Sequence, residues 1–300
     1  MRVLFWMVSK AILGSVCLLG GVAAANDSVS LLFWNVRNYR GVESSSAAQG
    51  IGGAKRPSSS DVVHRMVLEH WPDLLVIAEM GGVEDLDHLQ RLLKEAGLDL
   101  PYSEYVNGPD PDRHLALLSR YKVVSFSEPD IRFEIDGRVE RVQRGVLDVQ
   151  VETSGNTFRL LGAHLKSRLE VKDGKEQEIR RYESHLLRQR MESIAHAFPS
   201  IPIILVGDLN ETKDKPGVRE LSANENGFSL QWLDIKDVVG DSWTYCNEQS
   251  EVYERIDFVG VSNRFPWKVD RSRSKILRDR DLSRGSDHRP LLVTFEMRKK

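Results

Sequence analysis

The sequence predicts an α/β fold, one domain with helices packed on two sheets. Three observations lead there. Short, wholly apolar runs at residues 74–77 and 203–206 read as strands buried on both faces. Longer stretches at 83–96 and 175–197 carry apolar residues at helical spacing. Strands and helices alternate irregularly, with no internal repeat and no composition break that would mark a linker.

Residues 1–25 read as a secretory signal peptide. Arg2 and Lys10 supply a positive region, an uncharged apolar run spans 11–25, and Val22-Ala23-Ala24-Ala25 gives small residues at a cleavage site. That run is shorter than the roughly 20 residues of a membrane span. The domain is then 26–300, exported to the periplasm or secreted. A first strand is expected over 29–35. The stretch 41–60, rich in Ser, Gly and Ala, is a loop long enough to be functional or disordered. Ser60 or Asp61 caps a helix with Val63, Met66, Val67 and His70 at helical spacing, stopped by Pro72. The buried strand 74–77 follows, with Glu79 just past its end, then a helix over 83–96 with Leu86, Leu89 and Leu93 on one face, closed by Gly97. Strands are expected over 115–119, 123–126, 131–135, 145–152 and 158–164, separated by turn residues. The helix 175–197 buries Ile179, Leu186, Leu187, Met191 and Ile194. The strand 201–206 runs into Gly207-Asp208-Leu209-Asn210, and the last strands cover 255–262 and Leu291–Glu296.

Composition excludes several classes. Lys+Arg number 42 against 44 Asp+Glu, and 41% of residues are hydrophobic. A disordered chain or a polytopic membrane protein would not read so. A nucleic-acid coat would be basic. Removing Arg2 and Lys10 with the leader leaves 40 basic residues against 44, a net of −4. Of the two cysteines only Cys246 then remains, so no internal disulfide forms and the core must hold the fold.

The chemistry lies in polar groups placed where apolar strands stop. These are Asn35, Glu79, His164, Asp208 with Asn210, Asp257, and Asp287-His288 ahead of the last strand. One such residue is ordinarily a turn former or cap. Together they are an oxygen-rich set without zinc spacing, suited to Mg²⁺, with Mn²⁺ or Ca²⁺ as alternatives. A carboxylate at 257 inside an apolar strand is costly to bury unless paired, and His288 is its natural partner. A cation, histidines and a carboxylate-held water fit hydrolysis of a phosphate ester.

The runs Trp34-Asn35-Val36, Gly162-Ala163-His164-Leu165-Lys166-Ser167, Gly207-Asp208-Leu209-Asn210, Arg255-Ile256-Asp257-Phe258 and Ser286-Asp287-His288-Arg289-Pro290, with Glu79 after its strand, resemble the endonuclease/exonuclease/phosphatase (DNase I-like) superfamily, in order across nearly the whole mature chain. The resemblance implies a four-layer α/β sandwich of two central, mostly antiparallel sheets flanked by helices. It implies Glu79 as main metal ligand with Asn35 and Asp287 nearby. Asp208 would position or deprotonate the attacking water, and Asn210 would orient the water or the phosphate. His164 would bind the phosphate, and His288 paired with Asp257 would stabilise the transition state, with Glu254 a competitor for that pairing.

Arg144 suits a substrate phosphate or is a surface arginine, and Lys166, Ser167 and Arg168 line the same rim or form a solvated turn. Trp243-Thr244-Tyr245 is an aromatic wall for a ring, or core packing. Segment 264–284 holds eight basic and three acidic residues, and either tracks a phosphodiester backbone or is a solvated loop. The expected partner is a phosphoester, with nucleic acid first and a phospholipid or small phosphoester as the alternative. A monomer with no stable membrane span is expected.

Overall fold

In the computed structural model, which describes residues 28–41, 58–168 and 174–297, two sheets face each other and helices cover their outer sides. The first sheet holds β1 (Ser28–Tyr39), β2 (Leu74–Met80), β3 (Tyr102–Val106), β4 (His114–Ser119), β15 (Lys268–Val269), β16 (Lys275–Ile276) and β17 (Leu291–Glu296). Its order is β15-β17-β1-β2-β4-β3, with β16 also on β17. The second holds β5 (Lys122–Ser125), β8 (Leu147–Glu152), β9 (Thr157–His164), β10 (Ile203–Asp208), β11 (Leu230–Trp232) and β14 (Asp257–Ser262), in the order β11-β14-β10-β9-β8-β5. Only the β1–β2 and β9–β10 pairs of these two sheets run parallel. Two hairpins stand apart, β6 (Arg132–Ile135) with β7 (Arg138–Arg141) and β12 (Tyr245–Asn247) with β13 (Val252–Glu254).

Alternation along the strands creates the four layers. Leu31 and Phe33 of β1, Leu74 and Val76 of β2, Leu160 of β9 and Ile204 and Val206 of β10 meet between the sheets. The intervening Leu32, Trp34, Leu75 and Ile77 pack under α1 (Ser59–His70) and α2 (Val83–Glu95). Leu161, Ala163, Ile203 and Leu205 pack under α3 (Glu176–Ala197) and α4 (Pro216–Ser222). Each strand is therefore apolar on both faces, as the unbroken apolar runs require. Each such Leu, Ile or Val contributes about 1.5–3 kcal/mol by leaving water.

Several boundaries differ from the sequence reading. Ser58, not Ser60 or Asp61, caps α1: its Oγ accepts from the Asp61 N–H, and the Asp61 carboxylate accepts from the Ser58 N–H. Asp61 is thus the return half of a capping box. β1 continues past Asn35 to Tyr39. Elements missed are β3, β7, β11, β12, β13, β15, β16, α4 and α5 (Leu282–Gly285), short pieces with too few residues to show a period. Residues 1–25 and most of the 41–60 stretch lie outside the described residues. Among the described residues no helix is long and apolar enough to cross a membrane.

Segment 264–284 does not act as one basic rim. Lys268 of β15 pairs with Glu296, at the end of β17 farthest from His288. Lys275 of β16 pairs with Leu292, near that histidine. The segment thus climbs the sheet edge, and Arg278 and Arg280 line a crevice that Asp287 shares with the catalytic end.

Candidate active site

The site continues the inter-sheet layer past the last apolar residues. On β10 and β14 the inward residues Val206 and Val259 stand two positions from Asp208 and Asp257, and on β9 inward Leu160 leads through Gly162 to His164, four positions on, all at strand period two. Register aligns the last three on one rung: Asp208 pairs with His164 on one side and Asp257 on the other. Gly207 permits the approach, because a Cβ there would meet the Ala163 carbonyl oxygen at 2.2 Å.

The opposite sheet supplies Asn35 and Glu79 through two bulges. The β1–β2 register shifts between Asn35 and Tyr39, where Arg37 and Asn38 have positive φ. The β2–β4 register shifts at Glu79, whose φ is 61°. A left-handed non-glycine costs about 1–2 kcal/mol, a strain that clusters at functional sites. Here it turns the Glu79 carboxylate toward Asn35, whose Nδ2 donates to Glu79 Oε1 at 3.2 Å and to Asp208 Oδ2 at 3.0 Å. Asn38 N–H holds Glu79 Oε2 at 3.1 Å.

His288 arrives from the loop before β17. Its backbone is fixed by β1: Trp34 Nε1 donates to the His288 carbonyl, and Ser286 Oγ accepts from the His288 N–H while donating to the Asn35 carbonyl. The ring Nδ1 lies 2.9 Å from Asp257 Oδ2, and Nε2 lies 3.8 Å from Asp208 Oδ2. Thr244 Oγ1 accepts from the N–H groups of Ile256 and Asp257 and fixes that carboxylate. Asp257 is therefore the partner of His288, and Glu254 is not: it binds Arg168 Nη1 at 3.0 Å.

Burial and charge set the protonation states. Burial alone would lower the pKa of His288, but Asp257 and Asp208 outweigh it and hold the ring as an imidazolium. Burial, then the Asp257 charge, pushes Asp208 upward, against the pull of His288, the Asn210 N–H and Asn35. A carboxylate raised toward neutrality is suited to taking a proton. His164 has Asp208 Oδ2 at 3.6 Å and Glu79 Oε1 at 3.9 Å from Nε2. Burial and the cations Arg144, His288 and Arg113 nevertheless depress its pKa well below the ordinary value, so its ring is neutral.

Glu79, His164, Asp208 and His288 line a cavity of about 500 Å³. Arg144 forms part of its wall: it is 5% exposed, its Nη2 is 3.1 Å from Asp110, and its Nε and Nη1 have no partner. Asp287 lies in the cavity wall with Arg37 at 3.9 Å. Asn210 lines the cavity too; its backbone N–H donates to Asp208 Oδ1, and its Nδ2 to the Leu165 carbonyl. Lys166 does not line the cavity; Glu183 and Arg180 of α3 hold its backbone N–H and carbonyl. Arg168 lines the cavity while tied to Glu254. Arg37, Arg113 and Tyr245 also line it, and sequence reasoning missed the first two. Arg113 stands directly before β4, the only signal available for it. Tyr245 resolves the aromatic run: its ring sits 4.9 Å from that of His288. His114, by contrast, is buried against Tyr105.

Among the described residues, Asp208, Asp257 and His288 have ligand atoms converging within 4.8 Å, close enough to hold a metal ion. An imidazolium already balances the two carboxylates there. Glu79 and Asp287 also stand at the cavity wall without a hydrogen bond to that histidine, while Glu254 is taken up by Arg168.

The arrangement of buried carboxylates, two histidines and unpaired guanidinium donors suits the hydrolysis of a phosphate ester. Residues 32–288 match the Endonuclease/Exonuclease/phosphatase family, and the chain belongs to it, a metal-dependent hydrolase acting on phosphate ester bonds. Solved structures with the same fold include the human Nocturnin catalytic domain with bound sulfate anion, at 19% identity and TM-score 0.64, covering 90% of this chain and 94% of that one. An endonuclease/exonuclease/phosphatase from Bacteroides vulgatus is 17% identical at TM-score 0.63, covering 90% and 99%. D. rerio TDP2 complexed with single-strand DNA product is also 17% identical, at TM-score 0.59, covering 90% and 99%. No curated protein matches.

Proposed function

We propose that the chain is an exported phosphodiesterase that cuts nucleic acid. The observation that carries the reading is the buried rung of His164, Asp208 and Asp257 beside cationic His288 and the unpaired donors of Arg144. Asp208, raised toward neutrality, accepts the proton of a water; Asn35 and the Asn210 N–H keep its carboxylate aimed. His288 presents an N–H and a positive charge to the phosphoryl oxygens, held by Asp257. His164, neutral, donates a hydrogen bond without adding charge. Arg144 offers two N–H groups in the fork geometry that phosphate oxygens match.

Glu79 and Asp287, with Asn35 adjacent, would hold the divalent cation; their hard oxygen donors suit Mg²⁺ and, next, Mn²⁺ or Ca²⁺. When bound, the cation acts as a Lewis acid that offsets charge on the phosphate. Nucleic acid is favoured by a cavity wall carrying Arg37, Arg113, Arg144 and Arg168, and by the TDP2 relative, which is seen with single-strand DNA product. One observation favours a smaller phosphoester: the Arg168–Glu254 ion pair ties the loop after β9 to the β12–β13 hairpin on one side of the cavity. The leader-like residues 1–25 support export, which cell fractionation checks.

The deciding experiment incubates the mature protein with plasmid, single-stranded DNA, RNA, phospholipid and sugar phosphates, with Mg²⁺ or Mn²⁺ and with EDTA. Strand cleavage abolished by EDTA is expected. Intact nucleic acid with release of phosphate or a head group would overturn the nuclease reading and leave the small-phosphoester one.

A further inference from the structure

The β12–β13 hairpin is a wall with two faces. Its residues alternate, as a two-stranded ribbon must. Tyr245, Asn247, Val252 and Glu254 turn to the catalytic cavity, while Cys246 and Tyr253, paired across the ribbon, turn to a second crevice of about 420 Å³. Asp287 lines both spaces, so they adjoin at the reacting end of the site.

The second crevice has ring-shaped walls. Tyr253 is 56% exposed, and its ring meets that of Trp243 at 4.9 Å and 65°. Trp243 is held from behind: the Arg289 guanidinium lies 4.2 Å from its ring centroid, and Arg289 is itself bound to buried Asp237. Arg278 and Arg280 also line the crevice, and the Arg280 side chain is 92% exposed. Its contact, Asp281 at 3.6 Å, is shared with Arg65 and Arg284. Glu248 and Glu251 at the hairpin tip also line the crevice and disfavour a phosphate on that side. An aromatic wall, an exposed cation in the same crevice and acidic residues at the tip together select a flat, uncharged ring.

We propose that this crevice is a substrate subsite that stacks the base of the nucleotide flanking the scissile phosphate. The inference rests on the nucleic-acid reading above. The hairpin would then separate the phosphate, on its inner face, from the neighbouring base on its outer face, with Asp287 at the crossing point.

The test uses a short single-stranded oligonucleotide with one cleavable linkage and two versions lacking the base on one or the other side of it. In the wild type, loss of the base on one side should raise KM about tenfold, the scale of base–aromatic stacking. Tyr253→Ala should show that loss on the complete substrate and none further on the ring-less one. Tyr253→Phe should restore wild-type behaviour, and Arg280→Ala should raise the same KM without changing kcat. Losses from Tyr253→Ala and base removal that multiply, or an unchanged KM in both variants, would overturn the subsite alone. A wild type that releases p-nitrophenol from bis(p-nitrophenyl) phosphate but cuts no oligonucleotide would overturn the nucleic-acid reading and the subsite with it.

Discussion

Replacing Asp257 by Asn tests the protonation logic of the site most directly. The amide keeps the shape and can still accept the His288 Nδ1–H bond, now 2.9 Å long, so what is removed is a charge. Both groups are buried, at 1% and 6% exposure, so solvent does not screen the loss. In the wild type His288 is lifted to about 10 from its ordinary 6.5, with burial opposing and Asp257 the largest of the raising influences. Without that carboxylate the burial penalty gains the upper hand and the ring falls toward neutrality at pH 7. Losing a preorganised donor aimed at transition-state charge costs about 10²–10³ in kcat. The folded pKa falls, so the catalytic cation is lost as pH rises through a lower value than before. The deficit of Asp257→Asn should therefore be large at pH 8 and smaller at pH 6. Measured as kcat at fixed metal concentration over that range, an equal deficit at every pH, or none, would refute the imidazolium assignment.

Other outcomes follow from the same geometry. Glu183 is fully buried, and burial lifts its carboxyl to about 7 against the pull of the Lys166 N–H and of Arg144, Arg180 and Lys166. A raised pKa gives stability that is complete below about 4.5 and lost as pH rises through about 7. Glu183→Gln should thus gain on the wild type between pH 5 and pH 8, by on the order of 3 kcal/mol in urea denaturation; a pH-independent difference would contradict it. Arg144→Ala should raise KM for a phosphodiester about tenfold or more, as expected for a charged hydrogen bond, and should leave kcat less affected. Gly207→Ala should destabilise by about 1–3 kcal/mol, because its methyl meets the Ala163 carbonyl; an unchanged thermal midpoint would show that β9 and β10 can separate there.

The fold was largely legible because its strands are buried on both faces, which writes them as unbroken apolar runs. The rest was hidden for identifiable reasons. Glu79 reads as a residue after a strand, yet it sits within β2 at a bulge, and no residue type announced the left-handed turn that aims it. Lys166 stands beside His164 in the sequence, but Glu183 and Arg180, more than ten residues away, decide that its backbone rather than its ammonium matters. Arg113 required knowing that β2 and β4 are neighbours. The hairpin 245–254 has three residues per strand, too short for a period to be seen, although its alternation separates the two crevices.

One rule connects what was read with what was missed. A strand buried on both faces must alternate between two cores, and the face that runs between the sheets ends where the sheets part. Whatever stands two residues beyond the last inward apolar side chain points into that opening. Val206, Val259 and Phe33 thus dictate the side on which Asp208, Asp257 and Asn35 emerge, and Leu160 does the same for His164 through the inward Gly162. Glu79 breaks the rule and needs a bulge to do so: with Ala78 facing inward, regular alternation would send it under the helices, where Met80 goes instead. The strain is therefore placed at the one carboxylate that the regular pleat would have turned away from the site, and a variant that regularised β2 there should keep the fold while withdrawing Glu79 from it.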